Sequence, residues 1–161
     1  MSKKESSFFL YIKSWEKEIP TDWINIIIAK ALNYCVYNES LVIKGYLLTK
    51  KRLCLIVINE SHSIKHILNV FAKEVAKDIY TYENSFGKYM KVLEGSNTFK
   101  ELFIQYPLYN QYIIKLITGK KIILPYKNPH VTRLEKMIHD YNYCSAIDYS
   151  GAIGPVIVQT H

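Results

Sequence analysis

The feature that most constrains the fold is the stretch Lys44 to Asn59, KGYLLTKKRLCLIVIN. It reads as two strands, Leu41 to Leu48 and Leu53 to Ile58, joined by a basic tip, Thr49-Lys50-Lys51-Arg52. Both runs are rich in long aliphatic and β-branched residues, and each is too short for an amphipathic helix of average length. The second is almost wholly apolar, as expected of a central strand covered on both faces. Behind it, Ile64, Ile67, Leu68, Phe71, Val75 and Ile79 form one helical stripe, with Lys65, Lys73 and Lys77 off that line. Ser61 is the expected cap of this helix.

Upstream, Ser7 to Trp15 (SFFLYIKSW) reads as a first strand. Pro20-Thr21-Asp22 then announces a helix, with Thr21 as N-cap and Asp22 at the positive helix end. Apolar positions 24, 27, 28, 31, 32 and 35 keep helical spacing to about Tyr37, and Asn38-Glu39-Ser40 breaks it. The order strand, helix, strand, strand, helix needs one further strand to complete a ferredoxin-like split βαβ arrangement of the α+β class. Tyr109 to Leu116, YNQYIIKL, is the candidate for that strand. Between them, Tyr80 to Gly95 is polar and tyrosine-rich, a loop or short helical excursion, and Thr98 to Gln105 suits one or two helical turns. Pro129 starts a last helix, Val131 to Asp140, with Asn128 as its cap. The tail from Tyr141 to His161 is aromatic, then glycine-punctuated. The expectation is one domain over 1–161, with a core at about 7–116 and a C-terminal helical and irregular extension at about 117–161.

Length agrees, since two domains in 161 residues would each be small. Apolar residues at 49% and charged residues at 22% are the profile of a globular chain rather than a disordered one. No apolar run approaches the roughly 18 residues of a membrane helix, and MSKKESSFF lacks the apolar centre and cleavage pattern of a signal peptide. A cytoplasmic protein without a membrane partner is therefore expected. Three cysteines, Cys35, Cys54 and Cys144, form no CxxC pair and no disulfide framework, and Cys35 and Cys54 lie in apolar surroundings that suit inert buried thiols. A net charge of +7 together with 14 tyrosines fits a nucleic-acid binder, because lysines neutralise phosphates and rings stack on bases.

Two stretches carry a resemblance. REP-associated tyrosine transposases, a branch of the single-tyrosine HUH transposases, have a strand of the form A-Y-V-I-M-P-N-H-V-H-L-L-I. Gly45 to Val57 resembles it at Tyr46, Leu47, Leu48, Leu53, Leu55, Ile56 and Val57, with Arg52 and Cys54 where the two histidines stand. The same family carries Y-I-x-x-N-P and then something like P-E-D-Y-P-Y-S-S-A-x-D-Y-x-G. Here Tyr126-Lys127-Asn128-Pro129, one residue short, precedes Asp140-Tyr141-Asn142-Tyr143-Cys144-Ser145-Ala146-Ile147-Asp148-Tyr149-Ser150-Gly151. With the helix Ile64 to Ile79 between them, the likeness spans roughly Leu41 to Gly151. It implies the HUH-nuclease type of ferredoxin-like core.

The resemblance also defines a chemistry. HUH enzymes hold Mg²⁺ or Mn²⁺ on two histidines, which polarises the scissile phosphate while a tyrosine attacks it. Side chains at i and i+2 of one strand point the same way, so Arg52 and Cys54 share that geometry. Arginine has no lone pair for a metal and would repel one, and a single thiolate prefers softer ions and makes no site. No metal and no cofactor is therefore expected at these degenerate positions. His62 and His66, i and i+4, have a spacing that can chelate, but read first as solvated or partly packed residues. The family's nucleophile falls on Tyr109, with Tyr106 the nearest alternative. Arg52 could instead grip a phosphate through paired hydrogen bonds. Lys50, Lys51 and Arg52 form one basic cluster, Lys120, Lys121 and Lys127 a second, and Lys73 adds a further cation for nucleic acid.

The function expected is a catalytically inactive transposase-like protein that binds single-stranded or hairpin DNA or RNA. Two alternatives stand beside it. One is an active nickase with a rearranged metal site and Tyr109 as nucleophile. The other is a structural or protein-interaction subunit of a nucleoprotein or defence complex, or a homodimer.

Overall fold

The computed structural model describes residues 4–83, 98–140 and 142–161. Strand β1 (Lys4–Ile12) leads through a 3-10 turn (Ser14–Glu18) to helix α1 (Thr21–Asn38). The hairpin β2 (Leu41–Leu48) and β3 (Arg52–Asn59) follows, then α2 (Ile64–Glu83), the short α3 (Thr98–Leu102) and β4 (Phe103–Pro107). Helices α4 (Gln111–Ile117), α5 (Pro129–Asp140) and α6 (Ala146–Tyr149) complete the chain. The four strands form one sheet in the order β2-β3-β1-β4, and every neighbouring pair is antiparallel. This is an α+β architecture. None of the described helices is long and apolar enough to cross a membrane.

Alternation along the two central strands divides the interior in two. Phe8, Leu10 and Ile12 of β1 and Leu53, Leu55 and Val57 of β3 face one side, in register as Phe8↔Leu55 and Leu10↔Leu53. The α1 positions 24, 27, 28, 31, 32 and 35 cover that side and are all buried. So are Ile67, Leu68, Phe71, Val75 and Ile79 of α2. Phe103 joins this layer within an aromatic group, its ring 5.4 Å from Phe71 and edge-on to Trp15 at 6.1 Å. The Trp15 indole donates to the Leu102 carbonyl at 2.8 Å, which anchors the start of β4.

The other side is closed differently. Leu47, Cys54 and Ile56 meet Leu108, Ile117, Ile138 and Cys144 in a second, smaller apolar cluster beneath α4 and α5. A β-bulge at Lys44 brings Gly45 opposite Ile56, and there the α4 backbone passes so close that a Cβ on Gly45 would lie 2.7 Å from the Ile117 carbonyl oxygen. The C-terminal segment is sewn to β2. Leu47 bridges Cys144, the Leu48 N–H donates to Tyr143, and the Gln159 N–H donates to Ile43. Ser145 is fully buried; its Oγ accepts from the Tyr46 N–H at 2.9 Å and donates to the Ile117 carbonyl at 2.5 Å.

Five local expectations need correction. The last strand is Phe103–Pro107, and 109–116 is not a strand: Asn110 Oδ1 accepts from the N–H groups of Tyr112 and Ile113 and starts α4 there. Thr98 to Gln105 accordingly splits into α3 and the first residues of β4. The first strand ends at Ile12, so Trp15 sits in the 3-10 turn. Pro20 occupies the N-cap position of α1 with Thr21 as its first residue, and Ser63 rather than Ser61 caps α2, accepting from the His66 N–H at 3.2 Å. Asn128 does cap α5, accepting from His130 at 2.9 Å. The expected excursion at 80–95 is helical through Glu83; beyond that it lies outside the described residues.

Candidate nucleic-acid interface

The tip between β2 and β3 is closed by Thr49, whose N–H donates to the Arg52 carbonyl at 2.9 Å and whose Oγ1 accepts from the Arg52 N–H at 3.2 Å. Arg52 therefore starts β3 with an exposed side chain, paired across the sheet with Tyr11. Two residues on, Cys54 pairs with Phe9, and Phe9 in turn pairs with Tyr106 of β4. One row of the sheet thus reads Leu47, Cys54, Phe9, Tyr106, and the next carries Arg52, Tyr11 and Ile104.

Three of these side chains stack. The Arg52 guanidinium lies 5.4 Å from the Phe9 ring centroid, and Phe9 is stacked on Tyr106 at 5.2 Å with 25° between planes. A cation over an aromatic face is attracted by the ring quadrupole, so the guanidinium is held at the sheet surface instead of sweeping through solvent. Tyr106 is 44% exposed and offers its ring beyond the stack. The opposite part of this face, over β2 and β3, is sealed by α4, α5 and the tail, whereas Arg52, Ile104 and Tyr106 remain open.

Arg52 and Cys54 share a sheet face, as the i, i+2 spacing requires, since both meet Phe9 on the side of the second cluster. Their donors do not fit Mg²⁺ or Mn²⁺. Cys54 is only 5% exposed, and burial pushes its thiol up to about 11 against the smaller opposing pull of Arg52. It stays protonated at neutral pH and offers no thiolate. Cys144 is likewise raised to about 11 by burial, and Cys35 to about 12. Leu47 pairs with Cys54 on one side and Cys144 on the other. The two cysteines are thus two strand spacings apart, about 9–10 Å, too far for a disulfide.

The tyrosine positions separate as well. Tyr109 is 79% exposed and lies past the end of β4, three residues beyond the row that contains Cys54. Tyr106 stands in that row, with only Phe9 between them. The lysines are distributed over both sides. Lys50 and Lys51 line a hollow with Lys17, Pro20 and Thr21 at the start of α1. Lys73 is on the exposed side of α2, in the layer across the sheet from Arg52. Lys120, Lys121 and Lys127 are exposed on the segment between α4 and α5, in the layer on the Arg52 side. The structure brings together Arg52, Phe9 and Tyr106, and does not join Lys73 or Tyr109 to them. Local sequence does not single out Phe9, because its place beside Arg52 follows from pairing between segments more than forty residues apart.

One group of metal-ligating donors occurs among the described residues, and it lies elsewhere: Glu39, His62 and His66, at the far end of β3. Set beside known proteins, the chain matches no family model, and no curated protein or solved structure matches it at a significant level.

Proposed function

We propose that this protein is a non-catalytic, transposase-like nucleic-acid-binding protein whose core is a ferredoxin-like sheet of the HUH-nuclease type. The strand order β2-β3-β1-β4, with the β1-to-β2 and β3-to-β4 connections both carrying helices on one side, supports that plan. The carrying observation is the Arg52–Phe9–Tyr106 stack on the open part of the other side. A base of a single strand or hairpin loop stacks on Tyr106, and the Arg52 guanidinium takes the adjoining phosphate through paired hydrogen bonds. Catalysis is not part of this reading, because a guanidinium and a neutral thiol supply no ligand for the ion that phenol attack on a phosphodiester depends on.

The test is fluorescence anisotropy with labelled hairpin and single-stranded oligonucleotides, DNA and RNA, across a salt series. Binding that weakens steeply with salt, and that loses part of its salt slope in Arg52→Gln, is the expected result. A flat titration at low salt would refute the proposal. Incubation of labelled single-stranded DNA with Mn²⁺ addresses the enzymatic alternative: a covalent adduct abolished by Tyr109→Phe or Tyr106→Phe would replace this reading with an active nickase.

A second reading, a protein-interaction subunit or homodimer, is favoured by α1. Trp23, Ile26, Tyr34 and Tyr37 are exposed at helical spacing along its outer side. Light scattering on the purified protein decides it: a dimer that Tyr37→Glu converts to monomer supports the reading, and a monomer at all concentrations removes the homodimer.

A further inference from the structure

Where α1 ends, Glu39 takes the C-cap position and Ser40 adopts φ +56°, so the chain reverses sharply into β2 and leaves the Glu39 carboxylate beside the start of α2. Across from it, Asn59 donates to the His62 carbonyl at 2.8 Å and fixes the turn out of β3, while Ser63 caps the helix that carries His66. Two independent backbone devices thus aim His62 and His66 at one carboxylate. The imidazoles lie 4.7 Å apart, tilted by 41°.

Both contacts lie at the long end of hydrogen-bonding distance, and that of His66 qualifies as a hydrogen bond. His62 Nε2 and His66 Nε2 each stand 3.3 Å from the same atom, Glu39 Oε2. Charge-assisted N–H···O bonds are typically about 2.7–2.9 Å. Ligands on a tetrahedral zinc with bonds of about 2.0–2.1 Å are about 3.3–3.4 Å from one another. All three donor atoms fall within 4.8 Å of one another, so one ion can reach them together. The carboxylate is mostly buried, at 16% exposed, whereas both imidazoles are about half exposed, which leaves the outer side open to water as a fourth ligand.

We infer that Glu39 Oε2, His62 Nε2 and His66 Nε2 form a binding site for a divalent transition metal of the zinc class. Two imidazoles and one carboxylate are donors that select such ions over Mg²⁺. The ion joins the end of α1 to the beginning of α2, the two helices that cover the sheet. The site is independent of the proposed nucleic-acid surface: Arg52 and Asn59 are opposite ends of β3, an eight-residue strand, hence about 23 Å apart.

The experiment is titration of the chelator-treated full-length protein with Zn²⁺ alone, followed by calorimetry and thermal melting, and with Co²⁺, followed by visible absorption. One equivalent of Zn²⁺ is expected to bind and raise the melting temperature, and Co²⁺ to give the intense visible bands of a four-coordinate site. Glu39→Gln and His66→Ala should each weaken binding at least tenfold. Melting of both metal-free variants shows that they fold. Absence of saturable one-to-one binding would overturn the inference. So would unchanged affinity in Glu39→Gln, which would mean that the two histidines alone chelate at the surface. Neither result depends on whether the protein binds nucleic acid.

Discussion

The two faces of the sheet are built on different terms. The face under α1 and α2 is a continuous apolar layer, supplied by alternate residues of the strands and by two helices with long stripes. The other is half closed: α4, α5 and the tail seal β2 and β3, and the sheet then emerges with Arg52, Phe9 and Tyr106 at its surface. Burial on the first face is a matter of area and shape. On the second it depends on a few close backbone approaches, at Gly45 and Ser145. The larger apolar layer and the proposed recognition surface thus lie on opposite sides of the same strands, so each can be disturbed alone.

The sharpest way to break this division is Phe71→Ala, which empties the first layer between α2 and Phe103. A loss of about 3–5 kcal/mol in chemical denaturation is expected, with oligonucleotide affinity per folded molecule unchanged. Gly45→Ala acts on the second face, where the new methyl meets backbone, not a movable side chain. About 1–3 kcal/mol should be lost, and hydrogen exchange should quicken in α4 and the tail before it does in α1. Tyr106→Ala sharpens the comparison from the functional side. Removal of one stacking platform should weaken single-strand binding by about 1–3 kcal/mol while the melting temperature stays within a degree or two.

The smallest effect concerns Asp148. Burial holds its carboxyl above the usual range despite the Gly154 N–H that bonds it at 3.3 Å. A carboxyl raised in the folded state binds more protons there than when unfolded, so stability falls as pH rises through the shifted range. Asp148→Asn should therefore raise the melting temperature by a few degrees at pH 8, and the gain should vanish at acidic pH where the native carboxyl is neutral. Paired melting curves across pH check this. A variant equally stabilised at every pH would show that the carboxylate charge is not the cause.

Much of the first face was legible in the sequence, and the reasons are physical. Leu41–Leu48 is a strand with the expected bounds, and the α1 stripe and the α2 stripe, apart from the partly buried Ile64, are buried at the expected positions, because periodic apolar residues over eight or more positions leave few alternatives. The last strand was not legible. FIQYP is five residues long at a sheet edge, paired with β1 alone, and carries little pattern of its own. YIIKLI is β-branched enough to look like a strand, but the Asn110 cap commits it to a helix. At the candidate interface, Arg52 and Cys54 follow from local spacing, whereas Phe9 and Tyr106 come to them only through register. His62 and His66 were visible as a spaced pair. Glu39 was not, because a turn between α1 and β2 delivers it.

The tail carries one more consequence. A lateral strand such as β2 displays a row of unsatisfied amides and carbonyls that would template another chain. Here the segments around Tyr143 to Ser145 and Gln159 take up those groups from within the same molecule, at Leu48, Tyr46 and Ile43. The run Asn142 to Gly151, with Gln159 beyond it, thereby occupies this edge, and a chain clipped ahead of Asn142 is expected to form sheet-rich aggregates even though its two long helices remain intact.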